Sequence, residues 1–434
     1  MSNDKPQGDY VSSLASIVGE ENAVSLWENI EQSQQKRIQQ AMGSENPPSC
    51  IVYPRTQEQL AAVIAESHRN DWRVLPCGNG SKLGWGGLVK DVDVVVSTQR
   101  INQLIEHAVG DLTVTVEAGM KFCDLQAILA TSRQFLAFDP TAPESATIGG
   151  IVATGDTGSL RQRYGSVRDQ LLGITFVRAD GQIAHAGGRV VKNVAGYDLM
   201  KLFTGSYGTL GVISQVTFRV YPVQEASGTV VLTGTAEAIS QAVATLRGSA
   251  LTPTQADLLS TKLVSSLELG KGLGLIARFQ SMSESVKEQS NRLLAVGQEL
   301  GLDGAIYADG NEAHLWQRLR ERIHYLPTKS EITCKIGVLP TAAVEILTQV
   351  ELGLIHIGSG LGLLQLEDKN QVLKVRDRIQ ANSGFLTILD APLSVKQQID
   401  VWGYTGNALP LMHRIKEQFD SKKILSPGRF VGGI

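Results

Sequence analysis

Apolar and polar positions change period several times along the chain, and each change marks an element. Over residues 1–48 apolar positions recur at helical spacing, Leu14, Ile17 and Val18, then Leu26, Trp27 and Ile30, before Pro47 and Pro48. This predicts two short helices and a stop, because proline lacks the N–H that a continuing helix needs. From Ile51 the pattern reads strand, helix, strand: IVYP, TQEQLAAVIAESHRN and WRVLP. Thr56 followed three residues later by Gln59 marks a capped helix start. VDVVVS (92–97), LTVTVEAG (112–119), LLGITFVRADG (171–181) and VISQVTFRVYP (212–222) are further strand-like runs. Beyond Pro222 a second alternation begins with GTVVLTG, TAEAISQAVATLRG, GLGLIARFQ and SESVKEQSNRLLAVGQELG. It predicts a separate α/β domain. The tail, ALPLMHRIKEQFDSKKILSPGRF, reads as an amphipathic helix and an SPGR turn.

Composition narrows the function. A chain of 434 residues predicts two domains or more, with ample length for a core. Its 40 basic and 43 acidic residues leave a formal charge of −3, no electrostatic footprint for nucleic acid. Glycine is abundant at 44 residues while aromatics make up only 6%, which favours a turn-rich enzyme over a helical scaffold. Cys50, Cys77, Cys123 and Cys334 lie far apart without a CxxC pair, so neither a disulfide framework nor an iron–sulfur cluster is expected. The polar N-terminus lacks the apolar core of a signal peptide, and no apolar run reaches the ~20 residues of a transmembrane helix. A soluble, cytoplasmic protein is expected.

Glycine clusters carry the candidate chemistry. PCGNGSKLGWGG (76–87) follows a predicted strand, but its spacing fits neither common phosphate motif. A dinucleotide fingerprint from Gly78 would need glycine at position 83, which is Leu83, and Gly80-Ser81-Lys82 lacks the context of a Walker loop. What remains is a loop rich in N–H groups, suited either to a pyrophosphate or to a plain surface turn. PTAPESATIGGIVATGDTGSLRQRYG (140–165) sets glycines among small residues, as a flat ring would require of its walls. GRVVKNVAGYDLMKLFTGSYGTLGVISQVTFRV (188–220) adds Gly205, Gly208 and Gly211 ahead of a strand.

These segments resemble the flavoproteins of the vanillyl-alcohol oxidase/p-cresol methylhydroxylase superfamily. The similarity rests on YPRTQEQLAAVI, PCGNGSKLGWGG, ATIGGIVATGDTGSLRQRYGSVRD and VVKNVAGYDLMKLFTGSYGTLGVIS, and returns at ILSPGR. Within the superfamily the chain looks most like the FAD-binding E-type subunits of glycolate oxidase. The resemblance implies an α+β fold: a helical extension (1–48), a two-lobed FAD-binding domain of the p-cresol methylhydroxylase (PCMH) type (49–222), a smaller α/β cap (223–395), and a C-terminal helix and tail (396–434) packing back on the flavin. It implies FAD held through Pro76, Cys77, Gly78, Asn79, Gly80, Ser81, Lys82, Gly84 and Trp85 at the pyrophosphate. Pro140, Ala146, Thr147, Gly149, Gly150, Ala153, Thr154, Gly155, Tyr164 and Gly165 would follow the ring side. Gly211, Val212 and Ile213 would meet the adenine end, and Arg429 would return from the tail. The first glycine loop has no histidine to tether the flavin, so FAD is expected to be non-covalent.

Oxidation of a 2-hydroxy acid needs a base for the hydroxyl proton and a cation for the carboxylate. Arg161, Arg163 and Arg429 are cation candidates, with Lys192 close by in sequence; Lys192, Tyr197 and His356 are candidates for the base. A structural ion pair or a solvated charge is the competing reading of each cation. LIHIGSGLGLLQL stands where catalytic relatives carry an HxGDGNxH-like metal and substrate motif. Here His356, Gly358 and Gly360 remain, but Ser359, Leu361 and Leu363 replace the acid, polar and histidine positions. No metal site is expected, and a satisfied strand histidine is the favoured reading of His356 over a catalytic one. The resemblance implies a larger flavin subunit and an iron–sulfur subunit as partners, which would make any contact with a membrane. Two functions follow: a subunit that oxidises glycolate to glyoxylate on its own FAD, or a non-catalytic flavin subunit that stabilises or electrically connects a catalytic partner. A stand-alone D-lactate-type dehydrogenase is a further alternative.

Overall fold

The computed structural model describes residues 7–19, 23–44, 46–188, 196–324 and 332–434. Strand Val94–Ser97 is buried at every position and lies parallel between Cys50–Val52 and Val74–Cys77. Cover on both faces explains an unbroken valine run where a half-exposed strand would alternate. The crossover helix Gln57–Arg69 turns Leu60, Val63, Ile64 and Ser67 inward, one face at helical spacing. Its start is capped as predicted: the Gln59 N–H donates to Thr56 Oγ1 at 3.2 Å, while Gln59 Oε1 accepts from the Arg55 N–H at 2.8 Å.

The N-terminal segment departs from the predicted pair of helices. Gln7–Val18 and Gln32–Ala41 are helical, but Val24–Leu26 is a strand and Trp27–Asn29 a 3-10 turn. The strand adds antiparallel to Cys50–Val52 at the edge of the first sheet. Unpaired edge groups offer backbone hydrogen bonds that outweigh the helical spacing of Leu26, Trp27 and Ile30. Leu14 and Val18 share a core with Leu60, Val63 and Val74, so this segment is integral to the first lobe.

A second sheet of five antiparallel strands forms the other lobe, in the order Leu104–Ala108, Thr113–Glu117, Val212–Arg219, Leu171–Val177, Ile183–Gly187. Adjacent residues of one strand face opposite ways. Val177 accordingly joins the core of the first sheet, while Phe176 joins a separate core with Phe138, Ile151 and Phe203.

Residues 226–390 form the cap around an eight-stranded sheet that is antiparallel throughout. The expected strand–helix alternation is present, with helices such as Ala236–Gly248, Ser283–Glu299 and Lys369–Ala381. At mid-sheet, Gln255–Leu259 pairs with Leu352–His356, placing Asp257 opposite His356. After helix Leu409–Phe419 the tail runs back to the first lobe. There the Val74 N–H donates to the Ile424 carbonyl at 2.7 Å and the Ser426 N–H to the Val74 carbonyl at 2.9 Å. Buried Lys416 holds this return by bonding to the Thr209 and Leu425 carbonyls and pairing with Asp420.

Candidate active site

The first glycine loop leaves the C-terminal end of strand Val74–Cys77 and forms one wall of a cleft of about 690 Å³. Gly80 has φ +77°, a left-handed turn that a side chain would strain. At Gly78 a Cβ would fall onto the Thr147 hydroxyl, so this loop and the start of helix Ile148–Thr154 approach as closely as glycine allows. Thr147 caps that helix by accepting from the Gly150 N–H. Among the described residues, the backbone N–H groups of Gly80, Ser81, Lys82 and Gly84 have no protein acceptor.

Two buried cations border the cleft. Lys82 pairs with Asp156 at 3.2 Å and donates to the Thr141 carbonyl at 3.3 Å. Arg429 donates through Nη2 to the Leu83 and Lys82 carbonyls, at 2.7 and 3.3 Å. Its Nη1 is buried without a partner, and burial draws the guanidinium down to about 10. Burial also pushes the Cys77 thiol up to about 12, so Cys77 lines the cleft as a neutral group.

The predicted loops converge here. Pro76, Cys77, Gly78, Gly80, Ser81, Lys82, Thr147, Gly149, Gly150, Ala153, Thr154, Gly211, Val212, Ile213 and Arg429 all line the cleft. Leu83, Thr98 and Tyr207 join them, three that sequence reasoning missed, with Gly208 of the third glycine segment. Others on the expected contact set stand behind this wall. Asn79 donates to the Ser145 carbonyl, Gly84 sits against Asp390, and Pro140 and Ala146 are buried. Tyr164 meets the Phe135 ring edge-on and the Tyr221 ring at a tilt; Gly155 and Gly165 end short helices in positive φ. Trp85 faces a second cavity instead.

That second cavity, about 1320 Å³, lies between the glycine domain and the cap. Asp156, Ser159 and Arg161 line it from one side, and Arg278, Arg320, Lys335 and His356 from the other. His356 Nδ1 lies 2.6 Å from Asp257 Oδ1, and the Ser159 hydroxyl donates to Asp257 Oδ2. Asp257 is fully buried, so the pair favours the tautomer with a proton on Nδ1 and leaves Nε2 as the acceptor. Beside them Asp139 accepts from the Leu160 N–H at 3.1 Å and from Gln255 Nε2 at 3.2 Å. Burial raises its carboxyl to about 6. Arg278 is committed to Glu312 at 3.0 Å, and desolvation lowers the Arg161 and Lys335 cations.

Of the described candidates for the base, His356 lines the second cavity; of the candidate cations, Arg161 lines the same cavity and Arg429 the cleft. Arg163 is exposed, and its neighbour Arg161 takes the lining position. Tyr197 is 89% exposed, and Lys192 lies outside the described residues. Asp257, Ser159 and Asp139 were not singled out from sequence. An acid between Ala256 and Leu258 in an otherwise apolar run was the available signal.

Comparisons with known proteins agree with this geometry. Residues 48–187 match the FAD binding domain family. A probable mitochondrial D-lactate dehydrogenase of Danio rerio is 26% identical, over 96% of this chain and 91% of its own. Glycolate oxidase subunit GlcD of Bacillus subtilis (strain 168) is 28% identical over 52% of this chain and 49% of its own. D-2-hydroxyglutarate dehydrogenase of Stutzerimonas stutzeri is 25% identical over 88% of this chain and 90% of its own. In fold the chain is similar to p-cresol methylhydroxylase, with a TM-score of 0.75 and 16% identity over 97% of this chain and 96% of that one. Alkyldihydroxyacetonephosphate synthase gives 0.72 and 18%, over 98% of this chain and 87% of that one. The cleft fits such a cofactor: free N–H groups and an unpartnered buried guanidinium Nη1 are what a pyrophosphate would satisfy. Among the described residues no helix is long and apolar enough to cross a membrane.

Proposed function

The chain carries an FAD binding domain in a fold of the p-cresol methylhydroxylase type, and from this premise we propose that it is an FAD-dependent 2-hydroxy-acid dehydrogenase. The observation that carries the reading is the His356–Asp257 pair at the wall of the cavity next to the flavin cleft. Bound FAD supplies the hydride acceptor. His356 Nε2 takes the hydroxyl proton, and buried Asp257 holds the ring and stabilises the imidazolium that forms. Arg161 matches a carboxylate with its planar fork, with Lys335 as a second cation on the cap side. Lys82, paired with Asp156, links the cleft to this cavity, since each lines one of them.

The finer reading is a subunit of a glycolate oxidase complex, converting glycolate to glyoxylate beside a larger flavin subunit and an iron–sulfur subunit. Similarity to glycolate oxidase subunit GlcD of Bacillus subtilis supports it, as do four separate free cysteines that supply no cluster motif. Electrons then leave through the iron–sulfur partner. The flavin is held without a covalent bond, because the glycine loop offers no histidine.

Anaerobic absorption spectroscopy of the FAD-loaded chain tests this reading. Bleaching on addition of glycolate supports a complete site of glycolate specificity. Bleaching only with D-lactate or D-2-hydroxyglutarate keeps the dehydrogenase and changes its substrate. Bleaching only after the larger flavin subunit is added makes this an accessory flavin subunit, and no bleaching in any case overturns the reading.

A further inference from the structure

The phosphate loop is gripped from behind by groups that do not belong to the FAD domain. Lys396, on the short helix Leu393–Lys396 at the end of the cap, is only 7% exposed. Its Nζ donates to the Gly84 carbonyl and, at 3.3 Å, to the Gly86 carbonyl. No carboxylate pairs with it among the ion pairs of the described residues. Arg429 treats the Lys82 and Leu83 carbonyls in the same way from the tail. Four carbonyls of residues 82–86 therefore point at two buried cations, while N–H groups of the same loop have no protein acceptor. The amides of the two peptide groups that Lys396 holds, the Trp85 and Gly87 N–H, are spent on the Lys82 and Arg429 carbonyls, so the lysine clamps a closed turn directly after the amides of Gly80, Ser81 and Lys82.

We propose that Lys396 is a positioning residue for FAD: by holding the Gly84 and Gly86 carbonyls it fixes the turn that ends the glycine loop, so that the N–H groups upstream of it stay aimed at the pyrophosphate, and thereby ties cofactor capture to docking of the cap. The inference rests on the FAD reading of the cleft. A buried cation without a carboxylate partner is costly, and a bound anion offsets part of that cost. Burial lowers Lys396 to about 8, with Asp390 opposing the shift and Arg429 adding to it. Asp400 and Tyr404 line the neighbouring surface hollow with Lys396. An anion nearby favours the charged amine, so FAD binding raises this value and is accompanied by proton uptake. Affinity then falls as pH rises above about 8, by at most about tenfold per pH unit for one proton.

The test is FAD affinity of the full-length apoprotein, measured by quenching of flavin fluorescence from pH 7 to 9. Lys396→Met should weaken binding by about tenfold or more at pH 7, and Lys396→Arg should restore most of it. The extra loss of affinity above pH 8 should vanish in the Met variant. Unaltered affinity in Lys396→Met, or equal damage in Met and Arg variants, overturns the proposal. Should the Met variant fail to fold, the pH dependence of the wild-type chain decides, because a flat profile between pH 7 and 9 also overturns it. Absence of FAD binding in the wild type would instead strike at the cofactor reading itself.

Discussion

Asp257 occupies a position where its strand neighbours, Ala256, Leu258 and Leu259, are all buried and apolar. A buried carboxyl group there is accommodated because the Ser159 hydroxyl and the His356 ring both hydrogen-bond to it. The cost of removing one partner is therefore asymmetric between structure and chemistry. His356→Ala removes the base and should slow flavin reduction by the 2-hydroxy acid by about 10²–10⁴-fold. Asp257→Asn should also slow it, since an amide can present its NH2 to Nδ1 and stabilise the wrong tautomer. Neither residue touches the glycine cleft, so both variants should keep their yellow colour. Rapid-mixing reduction kinetics and the flavin-to-protein absorbance ratio separate the two effects. Loss of flavin with loss of rate would mean that the pair supports the fold and not the proton transfer.

At the scale of elements, strand Leu352–His356 does two jobs. Ile355 is completely buried in the main core of the cap, while its neighbour His356 turns to the cavity, as strand alternation requires. Ile355→Ala deletes core contacts without changing any polar group. It should destabilise the protein by about 3 kcal/mol, read as a lower urea midpoint with unchanged slope. A disproportionate loss of reduction rate in folded Ile355→Ala would show that the register Asp257↔His356 depends on this packing. Element type was legible where length and period agreed, as in helix Gln57–Arg69 and strand Val212–Arg219. It failed at Val24–Leu26, whose partner lies in another segment and leaves no trace in local spacing.

For the whole molecule, the cofactor cleft is assembled from strand 74–77 and its loop, helix Ile148–Thr154, the start of strand Val212–Arg219, and the tail at Arg429. Binding at such a junction stabilises the folded chain over the unfolded one, which lacks the site. Addition of FAD to about 100 times its Kd should stabilise the apoprotein by about 2.7 kcal/mol and raise its melting temperature in a concentration-dependent way. Differential scanning fluorimetry, read with an extrinsic dye, measures this. A melting temperature indifferent to FAD would contradict a cleft formed only by the folded chain.

By itself the sequence determined the glycine loops that line the cleft. Glycines required for positive φ or close approach, such as Gly78 and Gly80, are chemical necessities that spacing exposes without any knowledge of contacts. Three such segments, with the ILSPGR tail that the family resemblance added, line one cleft between the lobes and the tail. The cavity beside it was another matter. Asp257 and His356 lie on strands nearly a hundred residues apart and meet through antiparallel pairing at mid-sheet; Ser159 reaches them from the glycine domain. Lys396 reaches Gly84 across more than three hundred residues. Such pairings depend on register and domain docking, which single-sequence periodicity does not encode, so tertiary structure alone decided which charged side chains face the cavity, which brace the loop, and which remain on the surface.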